Sequence, residues 1–217
     1  MMDERRRMVQ DLMERGYIKS EAVRRAMERV PREEFVPEDE RHRAYMDMPL
    51  PIGEGQTISA PHMVAMIAEI LDLEPGMKVL EIGTGCGYNA AVIAEIIGPE
   101  GHLYTVERIG SLYERARRKL RSLGYDNITV IHGDGSQGFA DEAPYSRIYV
   151  TAAAPYIPDP LMKQLEIGGK LLIPVGSDKF YQELVLVERT SADDYRSRNL
   201  GGVAFVPLIG KHGWKFH

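Results

Sequence analysis

Cysteine is almost missing from this chain of 217 residues: Cys86 stands alone, which excludes an internal disulfide and suits a reducing, cytoplasmic setting. Also absent is an apolar run long enough for a bilayer. The longest, around Ala90 to Ile97, is broken by Glu95, against the roughly 20 residues a membrane helix needs. No apolar stretch follows Met1-Met2-Asp3-Glu4-Arg5-Arg6-Arg7, so no secretory signal and no membrane partner are expected. Basic residues are not in excess. The 27 Lys and Arg are outnumbered by 32 Asp and Glu, for a formal net charge of −5, which argues against a nucleic-acid partner. The six histidines show neither H-x-x-x-H nor Cys/His spacing, so no metal site is expected. Asparagine and glutamine are scarce, at three and five beside many Glu and Arg, a mix that thermophilic proteins favour.

What is present reads as one globular domain with an ordinary core. Hydrophobic residues make up 44% and charged residues 27%, and the length suffices for a single domain. The pattern predicts helices over Glu4 to Arg15 and Ser20 to Val30, with Ser20 as N-cap and Pro31 closing the second. The run Arg5-Arg6-Arg7 reads as the solvated face of the first helix. From Pro37 to Ala60 the chain is rich in Pro, Gly and Asp without periodicity, and so long a loop is usually functional. Regular alternation starts at Met77. Strands are expected at Met77 to Gly83, His102 to Glu107, Asn127 to His132, Tyr145 to Thr151 and Gly169 to Val175. Helices are expected at Tyr88 to Ile97, Gly110 to Leu123 and Pro158 to Leu165. Two late strands, Gln182 to Glu188 and Val203 to Leu208, lack an intervening helix and should close the sheet antiparallel. The expected fold is a Rossmann-like α/β sandwich: a mostly parallel seven-stranded sheet, helices on both faces, and an N-terminal helical extension. Residues 1–60 would form that extension on the substrate side, and residues 61–217 the core.

The sharpest local signal is Glu81-Ile82-Gly83-Thr84-Gly85-Cys86-Gly87-Tyr88. Its glycines permit a tight strand-to-helix turn and close approach of a ligand. The spacing is G-x-G-x-G, not the G-x-G-x-x-G that seats a pyrophosphate on a helix N-terminus. Glu81, two positions before the first glycine, would repel a pyrophosphate and suit a ligand carrying an ammonium and a sulfonium. Glu107 ends the next strand, where a carboxylate accepts from ribose hydroxyls. Asp134, in Gly133-Asp134-Gly135, lies where an adenine amino group is read. Three acidic strand ends together make loop carboxylates or turn caps the weaker explanation. Cys86 reads as a small loop filler.

These residues resemble class I methyltransferases, and the remainder narrows the resemblance to the protein-L-isoaspartate O-methyltransferases. It runs from about Gly16 to Leu208 and includes Leu50 to Met63, Val79 to Tyr88, Gly133 to Gly135, Val150 to Pro155 and Leu165 to Gly176. The stretch Gln56-Thr57-Ile58-Ser59-Ala60-Pro61-His62 and the turn Ala152-Ala153-Ala154-Pro155 are its most specific parts. The resemblance implies an enzyme that methylates L-isoaspartyl, and also D-aspartyl, carboxylates of damaged proteins with S-adenosylmethionine, leaving S-adenosylhomocysteine. It implies that Ala60, Pro61, His62, Met63, Glu81, Gly83, Thr84, Gly85, Cys86, Gly87, Glu107, Arg108, Asp134 and Gly135 hold the cofactor. Ser59 takes the catalytic position, and Thr57, Ile58, Ser59, Val206 and Leu208 the substrate. A monomer is expected. The sequence departs from the family at Ser146, commonly Asp, and at Cys86, commonly Ser.

The chemistry fits the composition. A carboxylate has a pKa of about 4 and is already ionised at neutral pH, so no general base is required, and none stands in the motifs. Ser59 has a simpler alternative role as the cap of a helix starting at Pro61, and His62 as a packed helix-start residue. A nucleic-acid or small-molecule methyltransferase of the same fold is the main rival. Amino-methylating enzymes, however, carry Asn/Asp-Pro-Pro-aromatic where this chain has Thr151-Ala152-Ala153-Ala154-Pro155. A nicotinamide-dependent dehydrogenase would need the longer glycine spacing, and the intact Ser59 segment argues against a non-catalytic cofactor-binding module.

Overall fold

The computed structural model describes residues 2–177 and 181–215. Seven strands form the central sheet: β3 (Lys78–Ile82), β4 (His102–Glu107), β5 (Ile128–His132), β6 (Tyr145–Val150), β7 (Leu165–Gly176), β8 (Gln182–Arg189) and β9 (Tyr195–Val203). Their spatial order is β5-β4-β3-β6-β7-β8-β9, parallel from β5 to β7 and antiparallel from β7 to β9. A separate two-stranded hairpin pairs β1 (Leu50–Gly53) with β2 (Gln56–Ile58).

The strand residues alternate between two cores. Val79 faces helices α3 (Pro61–Leu71), α4 (Tyr88–Ile97) and α5 (Gly110–Ser122), while Leu80 and Ile82 join the opposite core. Almost every residue of α4 is buried: α2 (Glu21–Arg29) packs over it, α1 (Met2–Glu14) packs in turn on α2 and α3, and Met8, Leu12, Val23 and Met27 join the same core. The N-terminal helices are therefore welded to the core. Ser20 caps α2 by accepting from the Val23 N–H, as its sequence indicates. The second face carries less: the five-residue α6 (Asp159–Lys163), short 3-10 turns and Leu208. Among the described residues no helix is long and apolar enough to cross a membrane.

Three expectations need correction. The last strand is Tyr195–Val203, not Val203 to Leu208. The observed strand is polar and exposed on most positions, as befits a sheet edge guarded by charges such as Arg196 and Arg198. The apolar segment after it leaves the sheet and crosses the strand ends, with one bridge from Pro207 to Ala153. The supposed loop from Pro37 to Ala60 contains a 3-10 helix, Glu38–Arg43, and the β1–β2 hairpin. That hairpin turns at Glu54 and Gly55 with φ of 55° and 68°, left-handed conformations typical of two-residue hairpin turns. In the run Arg5-Arg6-Arg7, only the last two are exposed. Arg5 donates to the Tyr45 hydroxyl at 2.8 Å and pairs with Glu33 at 3.1 Å.

Candidate active site

Strand order reverses between β3 and β6, and open α/β sheets bind ligands beyond the strand ends at such a switch point. A cavity of about 290 Å³ lies there. Its lining brings together the β2 end (Thr57, Ile58, Ser59), the glycine turn (Gly83, Thr84, Gly85, Cys86), the β4 end (Glu107, Arg108), Gly135, and Val206 and Leu208. These are residues from five distant stretches of sequence.

The turn after β3 is held open by hydrogen bonds. Gly83 has φ +95°, and a Cβ there would sit 2.4 Å from Thr151 Oγ1, so only glycine fits. Thr151 Oγ1 donates to the carbonyl oxygens of Ile82 and Gly83 at 3.1 and 2.7 Å. Glu107 stands nearly buried beneath the loop and accepts from the N–H groups of Gly85 at 2.9 Å and Ile109 at 2.8 Å. Each oxygen keeps lone pairs for a ligand's vicinal hydroxyls.

Glu81 is 0% exposed, and its Oε2 accepts from Thr105 Oγ1 at 2.5 Å, which lies 2.6 Å from Thr84 Oγ1. Part of this carboxyl thus braces the glycine turn. Burial, opposed by the Thr105 hydroxyl, pushes it up to about 8. Its Oε1 and both side-chain amide atoms of Asn89, another lining residue, are buried without hydrogen-bond partners. Unmet acceptors and a donor in the wall are what a zwitterionic, cationic ligand would satisfy. A carboxyl raised on folding leaves stability intact below the unfolded value near 4.5 and erodes it as pH climbs toward 8. Thermal melts of the ligand-free protein should therefore fall between about pH 5 and pH 8. Glu81→Gln should flatten that slope; identical slopes would show that Glu81 carries no such burden.

Ser59 is not the helix cap. The N-cap of α3 is Ala60, without a side-chain hydrogen bond, and Pro61 occupies the first turn. Asp47 serves that end instead, accepting from the His62 N–H at 2.9 Å and lying 2.8 Å from His62 Nδ1. Asp47 also pairs with Arg15 at 2.5 Å, and the His62 ring packs against Tyr17. This leaves Ala60, Pro61, His62 and Met63 outside the cavity lining, with Val64 of the same helix inside it. The Cys86 thiol, pushed up to about 11 by burial, stays protonated and fills space.

Asp134 is placed differently from the sequence expectation. Its Oδ1 accepts from the Ser136 N–H and hydroxyl at 2.9 and 2.7 Å, and its Oδ2 from the Lys211 N–H at 2.8 Å. Although burial opposes it, the Lys211 and Ser136 donors hold this carboxyl below the ordinary carboxylate range. Gly135 lines the cavity, but the Asp134 side chain does not. What the carboxylate grips is the C-terminal segment. Leu208 donates to the Ala153 carbonyl at 2.8 Å, Trp214 Nε1 to the same oxygen at 3.1 Å, and the Trp214 N–H to Leu208 at 2.7 Å. The end of the chain from His212 thus packs over the sheet end as far as Lys215; Phe216 and His217 lie outside the described residues. A Cβ on Gly210 would fall 2.0 Å from Asp134 Oδ1. Gly210→Val should therefore lift this strap from the cavity wall and cost about 1.5–3 kcal/mol, the value of a hydrogen bond to a charged group. Calorimetry would show S-adenosylhomocysteine affinity falling several-fold, whereas native affinity would mean that the strap does not shape the site.

Carboxylates around a G-x-G-x-G turn, at the switch point of this sheet, define a class I methyltransferase. The comparisons with known proteins give the particular family. Residues 3–213 match the model of the family described as protein-L-isoaspartate(D-aspartate) O-methyltransferase. A protein-L-isoaspartate O-methyltransferase of Methanothermobacter thermautotrophicus is 98% identical over the whole of both chains. Another, of Hyperthermus butylicus, is 57% identical over 97% of this chain and 90% of its own. A solved protein-L-isoaspartate O-methyltransferase superposes with a TM-score of 0.89 at 30% identity, covering 96% of this chain and 67% of that one. A Plasmodium falciparum structure described as a member of the same family, in complex with S-adenosyl-L-homocysteine, gives 0.82 at 26% identity, covering 94% and 98%. The chain belongs to the protein-L-isoaspartate(D-aspartate) O-methyltransferase family. Its activity is methyl transfer from S-adenosylmethionine to isoaspartyl carboxylates of damaged proteins.

Sequence reasoning did not mark Glu54, Val64, Asn89, Thr151 or Ile209, which also line the cavity. Thr151 was within reach, as the first residue of the distinctive Thr-Ala-Ala-Ala-Pro turn. Asn89 gave no signal beyond its place on the first turn of α4.

Proposed function

We propose that Ser59 receives the isoaspartyl carboxylate, and that the backbones of Thr57, Ile58, Val206 and Leu208 fix the polypeptide on either side of it. One observation carries this reading: Ser59, relieved of capping by Asp47, lines the same cavity as residues 206–208 and the glycine turn. Its hydroxyl is available to replace water around a carboxylate, whose desolvation is costly without protein donors. Glu107 would hold the ribose, Glu81 and Asn89 the amino-acid end, and Gly135 the adenine edge. When bound, S-adenosylmethionine supplies a methyl group on a positively charged sulfur. The residues of the chain supply orientation, which is worth several kcal/mol when reacting atoms are held about 3 Å apart. In an isoaspartyl residue the free carboxylate sits one methylene closer to the α-carbon than in aspartate, so backbone contacts can discriminate by placement. We further propose that residues 1–60 wall the substrate side, that residues 61–217 form the catalytic core of a single domain, and that the protein acts as a cytoplasmic monomer.

Because the nucleophile is ionised already, kcat at saturating cofactor and peptide should be flat from about pH 6 to pH 9. A tenfold rise per pH unit within that window would reveal a general base and overturn this reading of the site.

A further inference from the structure

A charged side chain buried without a counter-ion is costly, and one lies directly behind the Ser59 segment. Arg32 begins the short 3-10 turn Arg32–Glu34 and is 0% exposed. None of the ion pairs among the described residues involves it. Its Nε donates to the Ala44 carbonyl at 2.7 Å and its Nη2 to the Ser59 carbonyl at 2.8 Å. Its Cζ lies 4.8 Å from the centre of the Tyr88 ring, and its Nη1 is buried without a partner. The groups around it are Tyr88, Cys86 and Tyr45, all pushed upward by burial and so uncharged at neutral pH. A guanidinium does not give up its proton in such surroundings. The positive charge therefore stands unneutralised, one hydrogen bond away from the Ser59 backbone.

Resting on the assignment of Ser59 to the substrate carboxylate, we infer that Arg32 is a positioning residue that draws that carboxylate to the Ser59 segment by presenting an uncompensated positive charge behind it. A field of this kind has a definite kinetic signature. The carboxylate carries a full negative charge in the ground state and loses it as the ester forms. Attraction to Arg32 is therefore stronger for bound substrate than for the transition state, and it should lower KM without raising kcat. Planarity explains why arginine is used: one fork reaches two carbonyls from segments that are distant in sequence.

The test uses the full chain, an isoaspartyl peptide and S-adenosylhomocysteine. Arg32→Gln should bind S-adenosylhomocysteine within about threefold of native while raising the peptide KM about tenfold or more, the equivalent of one charge-assisted bond. Its kcat should hold level or rise, because the bound substrate loses more from the missing charge than the transition state does. Arg32→Lys should restore most of the KM at pH 6. A lysine so buried titrates well below its ordinary value, so the KM of this variant should climb as pH rises from 6 to 9, while native KM holds level. This second arm decides the matter even if Arg32→Gln fails to fold. A folded Gln variant with native KM, or a Lys variant whose KM tracks native across that pH range, would overturn the inference. Ser59→Ala is measured in parallel. Native turnover there would refute the reading of Ser59 itself, whereas impaired Ser59→Ala beside native Arg32 variants would refute Arg32 alone.

Discussion

Ser59→Ala is expected to lower turnover on an isoaspartyl peptide about a hundredfold while leaving S-adenosylmethionine affinity within a few-fold, the scale on which a reacting group misplaced by about 1 Å loses rate. The split follows from where Ser59 stands. It follows the β1–β2 hairpin, next to Ile58, whereas the groups assigned to the cofactor belong to the ends of β3 and β4. Loss of one hydroxyl there removes nothing from Glu107 or the glycine turn. Stability should be unaffected as well, because Ala60 and Asp47, not Ser59, complete the start of α3. Native turnover in single-turnover assays would sink the role given to Ser59. A parallel loss of cofactor affinity would move the residue to the other ligand.

Glu107→Ala should produce the opposite pattern. Two hydrogen bonds from ribose hydroxyls to a carboxylate are each worth about 1.5–3 kcal/mol. Their loss corresponds to roughly a hundredfold or more in Kd for S-adenosylmethionine. A second effect adds to the first. The same carboxylate accepts from the Gly85 and Ile109 N–H groups, so its removal also frees the glycine turn at Gly85 and the connection from β4 to α5 at Ile109. Glu107→Gln keeps one acceptor and the shape of the side chain, and should fall between alanine and native. An unaltered Kd by calorimetry for the alanine variant would show that the ribose is held elsewhere.

Much of this site was legible in the sequence, for physical reasons that also explain what was not. The unit from β3 through α4 to β4 was visible because apolar strands, a glycine turn and a largely apolar helix each leave a local pattern. Glu107 followed from its place at a strand end. The antiparallel pairing of β8 with the final strand was foreseen, but the final strand was put at the more apolar segment. Edge strands are polar by necessity, so apolarity pointed at the cavity-lining segment instead. The Gly53-Glu54-Gly55 turn was a legible hairpin signal that proline-rich surroundings obscured. His62 and Asp134 show a different limit. Both stand in distinctive motifs, yet their side chains are taken by Asp47 and by the Lys211 strap, partners that only the folded chain supplies. Arg32 is the extreme case. Nothing in Val30-Pro31-Arg32-Glu33-Glu34 marks it, and its burial depends on carbonyls at Ala44 and Ser59.

The most direct test of the whole account is to incubate the protein with methyl-labelled S-adenosylmethionine and two synthetic peptides, identical but for L-isoaspartate or L-aspartate at one position. The site described here predicts base-labile label on the isoaspartyl peptide alone. Label on both peptides, or on neither while S-adenosylmethionine still binds, would contradict the assignment of the Ser59 cleft to the isoaspartyl carboxylate.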